Sequence, residues 1–444
     1  MKNISLKEIS NAVNGELYGK DYKGSYSFGI DSRNFENHNF FIPLKGDRFD
    51  GHNYIKDVDE KAICVLCSYE KKMKNIRSNI IYVDDTQKAL HKLSRFYRSM
   101  FQGKVIAITG SNGKTSVKEL LALMLKKNQI SFTQGNLNNH IGMPLTIINS
   151  NHANEFLILE IGISIANEMK TLAEIAKPDI ATVTNIGKAH LEGLGGEDGV
   201  YKEKTKLFDY VKKSGTCFIN LTDVKMSKYS KKNGLNYLTF GSKDSDYYVE
   251  KREKDFFLNL RGETVKISPK YRNNHDLINI SCAASIADYL KIEVSEIVNG
   301  IENFCGVKSR LNLKKLKNGA TLIDDTYNAN PGSFKVALDT LKTAKNEKWL
   351  VFGDMVELGS DSAKYHKEVV EYALSCGVDK IITYGKESKT AATSLLGEES
   401  LHLDTIEEIF NYIVRNMSHD LSILVKGSRA MSLDKLTKQL VEFQ

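Results

Sequence analysis

The feature that most constrains this chain is the segment TGSNGKT, residues 109–115, which stands between the apolar run VIAI and a helix-like stretch. Glycines let the backbone N–H groups of such a loop turn toward a phosphate, and the start of the following helix adds positive potential. The Lys114 ammonium can then reach the β- and γ-phosphates, and the Thr115 hydroxyl can bind Mg²⁺. The segment predicts a strand-loop-helix unit that binds ATP or GTP, although Ile108 stands where the full pattern has its first glycine.

The chain repeats the strand-then-helix pattern in two long series. The first starts at Lys104 with the apolar runs VIAIT, FLILEIG, DIATVTNIG and TCFINL, and the second starts near Lys308 with TLIDD, WLVFGD, KIITYG and LSILVKG. Amphipathic stretches follow most of these runs, which predicts parallel sheets covered by helices on both faces. Residues 237–268 show short alternating strands instead.

The same pattern divides the chain. Before residue 101 the apolar runs are shorter, and a helix-like stretch from Thr86 to Met100 closes that segment. A length of 444 residues favours two or three domains. We predict an α/β protein with a small N-terminal α/β domain over residues 1–100, a central P-loop ATPase domain with a parallel sheet over 101–308, and a doubly wound, Rossmann-like C-terminal domain over 309–444.

Charge and cysteine usage narrow the partners and the compartment. The 62 Lys+Arg and 55 Asp+Glu residues give a net charge of +7, which is too small and dispersed to indicate a nucleic-acid partner. The N-terminus lacks the apolar segment of a secretory signal, and no apolar run predicts membrane insertion. Six scattered cysteines, including Cys64 and Cys67 in one strand-like run, favour free thiols in a reducing compartment. We therefore expect a cytoplasmic protein.

A carboxylate and an imidazole follow two of the predicted central strands. Glu160 ends FLILE, and His190 comes shortly after DIATVTNIG. Because the carboxyl ends of parallel strands face the ligand crevice, both side chains are candidates to bind a cation beside a nucleotide. Taken singly, Glu160 also fits a structural hydrogen-bonding role, and His190 also fits a surface loop.

Two further segments leave their roles open. Lys202, Lys204 and Lys206 alternate in GVYKEKTKLF, and this spacing puts neighbours about 200° apart on a helix, so not all three can face one ligand. The segment DDTYNANP, residues 324–331, follows the strand-like TLI. Its polar groups can bind a ribose or another polar substrate, or they can cap the helix expected from Ser333.

Eight segments together resemble the Mur ligase family over nearly the whole chain. They are DSR (31–33), LKGDRFDGH (44–52), TGSNGKTS (109–116), GNLNNHIGMPLT (135–146), NIGKAHLEG (185–193), DDTYNANP (324–331), GDMVELG (353–359) and VKGSRAMSL (425–433). The resemblance is greatest to ligases of the MurF type, which join D-alanyl-D-alanine to UDP-N-acetylmuramoyl-tripeptide for bacterial cell-wall synthesis. It implies an ATP-dependent amide-bond ligase that uses Mg²⁺, forms an acyl-phosphate intermediate and acts as a monomer.

The resemblance also implies roles for individual residues. Lys114 would stabilise the phosphoryl group in transfer, Thr115 and Glu160 would hold one Mg²⁺, and His190 would hold a second. The family carries a carbamylated lysine that helps to bind the second cation. That lysine matches Lys204, with Lys202 as the rival position.

Other residues match the ligand contacts of the family. By this resemblance the nucleotide would be bound by Thr109, Gly110, Ser111, Asn112, Gly113, Lys114, Thr115, Ser116, Asn279, Arg310 and Asp325. The UDP-linked peptide and the dipeptide would be bound by Ser32, Arg33, Lys45, Asp50, Gly51, His52, Asn138, Asn139, Asn328, Asn330, Lys426, Ser428 and Arg429.

Four residues depart from the family pattern: His140, Asn167, Lys188 and Asp276. An acidic residue is common at position 140, and a small residue, proline or glutamate at position 188. We hypothesise that a basic His140 and Lys188 near the acceptor peptide adjust the preference for diaminopimelate or lysine as its third residue.

Three alternatives stay open at this point. The sister ligase that adds the third amino acid would be expected to carry a D-N-P-R-like motif in its third domain, where this chain shows none. A folylpolyglutamate-type ligase lacks the DSR and KGDRFDGH segments. A non-catalytic nucleotide-binding homologue would have lost one of Lys114, Glu160, His190 or the candidate lysine, and all of these are present.

Overall fold

The computed structural model describes residues 3–71, 73, 75–229 and 234–443, in which the strands form five sheets. Three of these sheets follow one another along the chain, one for each predicted domain, and helices lie between their strands. The α/β class with three domains is therefore confirmed. The domain boundaries themselves stay a prediction.

The first sheet lies in the N-terminal part and has the strand order β2-β7-β6-β5-β4, beside a two-stranded ribbon of β1 and β3. Its strands are β1 (Ile4–Ser5), β2 (Glu16–Tyr18), β3 (Lys23–Gly24), β4 (Phe28–Gly29), β5 (Phe40–Phe41), β6 (Cys64–Ser68) and β7 (Asn79–Val83). Its helices are α1 (Leu6–Val13), α2 (Ile55–Val58) and α3 (Thr86–Met100). Cys64 and Cys67 are free and buried in β6, as the strand prediction requires.

The central sheet has six strands in the order β13-β12-β11-β8-β10-β9, and each neighbouring pair is parallel. These strands are β8 (Lys104–Thr109), β9 (Ile130–Phe132), β10 (Phe156–Glu160), β11 (Ile180–Val183), β12 (Thr216–Asn220) and β13 (Tyr237–Phe240). The next three, β14 (Tyr248–Arg252), β15 (Asp255–Leu260) and β16 (Glu263–Ile267), form an antiparallel sheet. The helices are α4 (Lys114–Met124), α5 (Gly142–Ile148), α6 (Glu168–Ala176), α7 (Leu191–Leu194), α8 (Glu197–Thr205), α9 (Val224–Tyr229), α10 (Asn274–Tyr289) and α11 (Val294–Asn303).

The third sheet has the order β17-β18-β22-β19-β20-β21, parallel except for the edge strand β17. Its strands are β17 (Asn312–Lys315), β18 (Thr321–Asp325), β19 (Glu347–Gly353), β20 (Lys380–Tyr384), β21 (Leu401–His402) and β22 (Leu421–Lys426). The helices are α12 (Pro331–Lys342), α13 (Ser362–Ser375), α14 (Lys386–Leu396), α15 (Ile406–Asn416) and α16 (Asp434–Glu442). The doubly wound C-terminal architecture is as predicted.

The central sheet is buried on both faces, which explains its continuous apolar strands. Successive residues of β8 enter opposite cores: Val105 and Ala107 pack into one hydrophobic cluster, and Ile106 and Ile108 pack into the other. Side chains of a strand alternate between its faces, so a strand covered by helices on both sides needs apolar residues at every position. The loop after β8 is thereby fixed on a rigid base.

Polar contacts attach the N-terminal part to the central sheet. The backbone of Phe28 and the side-chain amide of Asn149 exchange two hydrogen bonds, of 2.8 and 3.0 Å. The buried Arg98 donates to the carbonyls of Ala176 and Lys177, at 2.6 and 2.9 Å. A cation at these carbonyls offsets the negative end of α6, so the contact stabilises both the helix and the junction.

Two helices differ from the sequence prediction. The helix expected from Ser333 begins at Pro331, because the Asn330 side chain accepts a hydrogen bond from the Ser333 backbone N–H at 2.9 Å and caps it. The amphipathic stretch after DIATVTNIG, which contains GVYKEKTKLF, forms α8 only as far as Thr205 and continues as a 3₁₀ turn over Lys206–Tyr210. The Thr205 hydroxyl donates to the Tyr201 carbonyl at 2.8 Å, a contact that commonly bends helices.

No helix in the described ranges is both long and apolar enough to span a membrane.

Candidate active site

A cavity of about 410 Å³, which we call the central cavity, lies at the carboxyl edge of the central sheet and is closed by the C-terminal part of the chain. The predicted residues that line it are Ser111, Asn112, Gly113, Lys114, Ser116, Asn138, Asn139, Glu160, His190, Arg310, Asp325, Asn328, Asn330 and Lys426. The ends of strands in the central and C-terminal sheets, and the starts of the helices that follow them, therefore meet at one place. This is where parallel α/β sheets commonly bind ligands.

The P-loop geometry explains why its glycines are required. Gly113 has φ +83° and ends the loop at the start of α4, where a Cβ would clash with the Asn279 amide. Gly110 has φ +146°, and a Cβ there would clash with the Thr184 hydroxyl. Residues with a side chain rarely adopt such φ values. Glycine at both positions therefore permits the backbone conformation and lets the loop pass close to its neighbours. Asn279 is buried beneath this loop and does not line the central cavity.

Lys114 folds back over its own loop. Its Nζ donates to the carbonyls of Gly110 and Ser111, at 2.6 and 3.3 Å. Burial lowers the pKa of the Lys114 ammonium to about 8; the Glu160 carboxylate opposes this shift and the Arg310 guanidinium adds to it. Bound phosphate oxygens would supply the negative charge that keeps this ammonium protonated.

Glu160 is the centre of a buried polar group at the end of β10. Its Oε1 accepts hydrogen bonds from the Thr115 hydroxyl at 3.0 Å and from the Asn138 amide at 2.7 Å. Its Oε2 is buried and has no hydrogen-bond partner among the described residues. A fully buried carboxylate oxygen without a partner is costly unless a ligand pairs with it. The carboxylate and hydroxyl therefore fit Mg²⁺, which takes few protein oxygens and completes its shell with phosphates and water.

The structure separates the two rival lysines of α8. Lys202 is exposed, whereas Lys204 is 1% exposed. Burial, with a smaller contribution from the Lys114 charge, lowers the pKa of Lys204 well below its usual value. CO₂ reacts with the neutral form of an amine, and burial favours that form, so the environment of Lys204 suits carbamylation. Lys206 pairs instead with Glu203 on the same segment.

His190 contacts the C-terminal part of the chain. Its Nδ1 lies 2.5 Å from Glu357 Oε2, and this hydrogen bond lowers the pKa of the Glu357 carboxyl. His190 precedes α7 with φ 56°, a left-handed conformation that few residues other than glycine adopt. Glu357 lies in GDMVELG, one of the eight segments that carry the family resemblance, but the resemblance implies no role for this residue.

The C-terminal part presents its own polar residues to the central cavity. Lys426 Nζ donates to Asp325 Oδ2 at 2.6 Å and to the Asn328 carbonyl at 2.9 Å, and burial lowers its pKa although Asp325 opposes this. The Asn330 amide donates to Asn112 Oδ1 at 2.9 Å, which links α12 directly to the P-loop. Asn330 therefore both caps a helix and joins the site.

Some residues predicted to bind ligands make hydrogen bonds within the protein instead, or lie outside the central cavity. Ser428 is buried, and its Oγ accepts from the Val356 N–H at 2.9 Å. Arg429 pairs with Asp434 at 3.2 Å and, with Thr115, lines a neighbouring cleft of about 850 Å³. Thr109, Gly110 and Lys204 support the central cavity without lining it.

The N-terminal set lies apart from the central cavity. Arg33 is exposed and pairs with Asp31 at 2.7 Å. Lys45 is exposed as well, and Ser32 is partly exposed. Asp31 lines a cavity of about 560 Å³ between the N-terminal and central sheets.

Asp50, Gly51 and His52 form a tight turn in this N-terminal part. His52 is buried, with Nδ1 at 2.7 Å from Asp50 Oδ1 and Nε2 at 3.2 Å from the Ser68 backbone nitrogen. A Cβ on Gly51 would lie 2.8 Å from the Leu44 backbone. Both His52 ring nitrogens are thus occupied within the protein, so this histidine shapes the loop from inside.

Sequence reasoning missed the aromatic wall of the central cavity and the packing of Arg310. Tyr271 and Phe304 lie 5.8 Å apart between ring centroids and line the cavity, suited to contact a nucleotide base. Arg310 stacks 4.1 Å over the Tyr327 ring, and its Nε is buried without a hydrogen-bond partner within the described chain. No local motif marks Tyr271 and Phe304, because they come from separate segments that meet only in the fold.

Asp276 is a further unpartnered group at this wall. Its Oδ2 is buried and has no hydrogen-bond partner among the residues described, and burial raises the pKa of its carboxyl to about 6, although a backbone hydrogen bond from Asn273 opposes the shift. A carboxyl with a raised pKa contributes stability that is full below its unfolded pKa of about 3.9 and lost as the pH rises through about 6.

We expect Asp276→Asn to flatten this pH dependence. Between pH 5 and pH 7.5 the variant should gain about 1.4 kcal/mol of unfolding free energy relative to wild type, measured by urea unfolding at both pH values. Asp244→Asn, at an exposed carboxyl, is the matched control, and its unfolding free energy should change with pH as that of wild type does. Parallel curves for Asp276→Asn would show that its carboxyl is solvated.

Comparisons with known proteins agree with this geometry. The model described as the Mur ligase family catalytic domain matches residues 26–98, the Mur ligase middle domain matches 108–287, and the Mur ligase glutamate ligase domain matches 309–429. A UDP-N-acetylmuramoyl-tripeptide–D-alanyl-D-alanine ligase of Bacillus subtilis is 31% identical over 99% of this chain and 98% of its own length. The chain belongs to the Mur ligase family.

Solved Mur ligase structures share its whole architecture. The crystal structure of MurF from Acinetobacter baumannii matches with a TM-score of 0.88 and 26% identity over the full length of both chains. The MurF ligase of Thermotoga maritima in complex with ADP matches with a TM-score of 0.81 and 28% identity, over 94% of this chain and 97% of that one. This chain is therefore a Mur ligase of the MurF type.

The fold accounts for some departures from the Mur ligase pattern. Asn167, where glycine is common, has φ 70°, which asparagine tolerates better than most residues. His140 lines the central cavity. Lys188 instead directs its ammonium at Glu368, at 3.4 Å, and over the Tyr365 ring, at 4.3 Å. The hypothesis about the third acceptor residue therefore rests on His140 more than on Lys188.

Proposed function

We infer that this chain is an ATP-dependent ligase that adds D-alanyl-D-alanine to UDP-N-acetylmuramoyl-tripeptide and releases ADP and phosphate. The observation that carries this inference is the central cavity, which gathers the P-loop, Glu160, His190 and the C-terminal Lys426 around one space. Relatives that carry this name match the chain from end to end. The sister ligase and the folate-type ligase, the two enzyme alternatives, lack this agreement in sequence.

The reaction needs charge neutralisation more than a protein nucleophile. The tripeptide carboxylate attacks the γ-phosphorus, the bond to the β-phosphate oxygen breaks, and an acyl phosphate and ADP result. The dipeptide amine then attacks the acyl carbon, the bond from that carbon to the phosphate oxygen breaks and phosphate leaves, and the nitrogen gives up a proton to solvent or to the departing phosphate. Lys114 leaves its loop carbonyls to pair with the phosphoryl oxygens, and the backbone N–H groups of residues 111–115 hold the phosphates.

We propose that two Mg²⁺ sites serve this reaction. Thr115 and Glu160 would hold one cation, and His190 with a carbamate on Lys204 would hold the other. Mg²⁺ bound there would neutralise the phosphate charge during transfer. The unpartnered Glu160 Oε2 and the burial of Lys204, which lowers the pKa of its amine, support this assignment.

The substrates would be arranged from one end of the molecule to the other. We propose that the N-terminal set around Ser32, Arg33 and Lys45 binds the uridine nucleotide, that Asn138 and Asn139 face the peptide, and that Asn328 and Asn330 receive the dipeptide. We propose that the chain acts as a monomer. We place the reaction in the cytoplasm, where ATP and nucleotide-linked precursors are found.

The decisive experiment measures phosphate release from ATP with Mg²⁺. UDP-N-acetylmuramoyl-tripeptide, in lysine and diaminopimelate versions, is offered with and without D-alanyl-D-alanine. We expect sustained release only with both substrates, together with a pentapeptide product detected by mass spectrometry. A folded, ATP-binding protein that releases no phosphate with either acceptor would favour a sister ligase or a non-catalytic homologue.

A further inference from the structure

The segment GDMVELG, residues 353–359, has no role in the reaction as described so far. It leaves β19 of the C-terminal sheet and reaches the loop that carries His190. Glu357 within it makes two contacts with that loop: its Oε2 lies 2.5 Å from His190 Nδ1, and its backbone carbonyl accepts from the Glu192 N–H at 3.2 Å.

This segment is held firmly on its own side of the junction. The Met355 N–H donates to the buried His366 Nε2 at 2.9 Å, and the Val356 N–H donates to Ser428 Oγ at 2.9 Å. The Asp354 carboxylate accepts from the Ser388 N–H at 2.8 Å. Glu357 is therefore presented by a rigid support, and its position follows the C-terminal part of the chain.

Both partners have unusual backbones. His190 has φ 56° and Glu357 has φ 64°, and neither is glycine. Left-handed residues that face each other across a junction persist only where the surroundings fix them, and such conformations concentrate at functional sites. The junction therefore constrains this pair more tightly than a surface ion pair.

The hydrogen bond determines which ring nitrogen of His190 is available. A carboxylate accepts only, so Nδ1 must carry the hydrogen, and the lone pair of a neutral ring then lies on Nε2. His190 lines the central cavity, whereas Glu357 does not. A carboxylate behind a histidine is the usual way to orient a cation ligand.

We propose that Glu357 is a positioning residue that holds His190 with Nε2 available to a divalent cation, so that this cation site is complete only when the C-terminal part is docked. The inference rests on the proposed function, in which His190 is a cation ligand. It adds that docking of the C-terminal part and affinity for the cation are coupled through one hydrogen bond.

The test measures binding of Mn²⁺, by electron paramagnetic resonance, to the full chain in the presence of ADP. Glu357→Ala should weaken Mn²⁺ binding at the affected site roughly 10-fold or more, and Glu357→Gln, which keeps an acceptor, should restore part of that loss. Glu357 is about half exposed, so neither variant should alter the unfolding temperature appreciably. His190→Ala should cause a similar loss, with no further loss when combined with Glu357→Ala.

Glu368→Ala is the matched control. It removes the neighbouring contact with Lys188 across the same junction but does not touch His190. We expect wild-type Mn²⁺ affinity for it. Equal weakening in Glu368→Ala, or affinity within twofold of wild type in Glu357→Ala, would overturn the proposal. If the wild-type protein joins the two substrates but Glu357→Ala binds Mn²⁺ with wild-type affinity, this inference fails and the proposed function stands. If the wild-type protein releases no phosphate with either acceptor, the proposed function itself fails.

Discussion

Replacing Lys114 by methionine is expected to lower the turnover of phosphate release roughly 10³-fold. In the free protein its ammonium is held by the Gly110 and Ser111 carbonyls, and burial lowers its pKa to about 8. Charge is redistributed over the phosphoryl oxygens and the leaving oxygen in the transition state, and an ammonium aimed at these oxygens stabilises that state. The loss should therefore appear in kcat more than in the dissociation constant for ADP. Steady-state phosphate release and calorimetric ADP binding measure the two quantities.

Lys126→Met is the control for this change. Lys126 is exposed and lies just beyond α4, outside the central cavity, so its removal alters the net charge by the same amount. Its kcat should stay within twofold of wild type. A loss below 10-fold in Lys114→Met, in a protein that unfolds at the wild-type temperature, would remove Lys114 from the phosphoryl-transfer step.

Lys204→Ala should lose activity on the same scale, roughly 10³-fold, because it removes the proposed carbamate ligand of the second cation. Carbamylation requires a neutral amine: the nitrogen adds to the carbon of CO₂ and releases one proton. Burial favours that form, because it lowers the pKa of Lys204 well below its usual value. Turnover should therefore also fall when dissolved CO₂ and bicarbonate are removed, and recover when they are restored.

Lys202→Ala is the matched control, since Lys202 lies on the same helix but is exposed. It should keep wild-type turnover and the carbamate signal in ¹³C nuclear magnetic resonance after labelling with ¹³C-bicarbonate. Lys204→Ala should lack that signal. A carbamate signal that persists in Lys204→Ala and disappears in Lys202→Ala would move the modification to the rival lysine.

Features formed by consecutive residues could be predicted from the sequence, whereas contacts between residues far apart in the chain could not. The P-loop could be located because its strand, glycines, lysine and helix are consecutive, so their geometry follows from the local backbone. Helix α3 was predicted with its observed ends, Thr86 and Met100, since its pattern and its Asp85 cap are local. Helix α12 begins two residues before the predicted Ser333, because Asn330 caps it and Pro331 occupies its first position.

Side-chain direction was harder to predict. Lys202 and Lys204 are equivalent by sequence pattern, and only the packing of α8 exposes one and buries the other. His52 and Ser428 occupy family motifs, yet their polar atoms bond within the protein. A motif gives the residue type, whereas the contact depends on which neighbours fill the space around it.

The class of fold, the order of the three sheets and the place of the phosphate loop could be predicted from the sequence alone, because these depend on periodicity and on residues close together in the chain. Which polar groups meet depends instead on the folded chain: Glu160 with Thr115, Asn330 with Asn112, and His190 with Glu357. The last two pairs are separated by 218 and 167 residues. Their contact depends on how whole sheets pack, which no local pattern records.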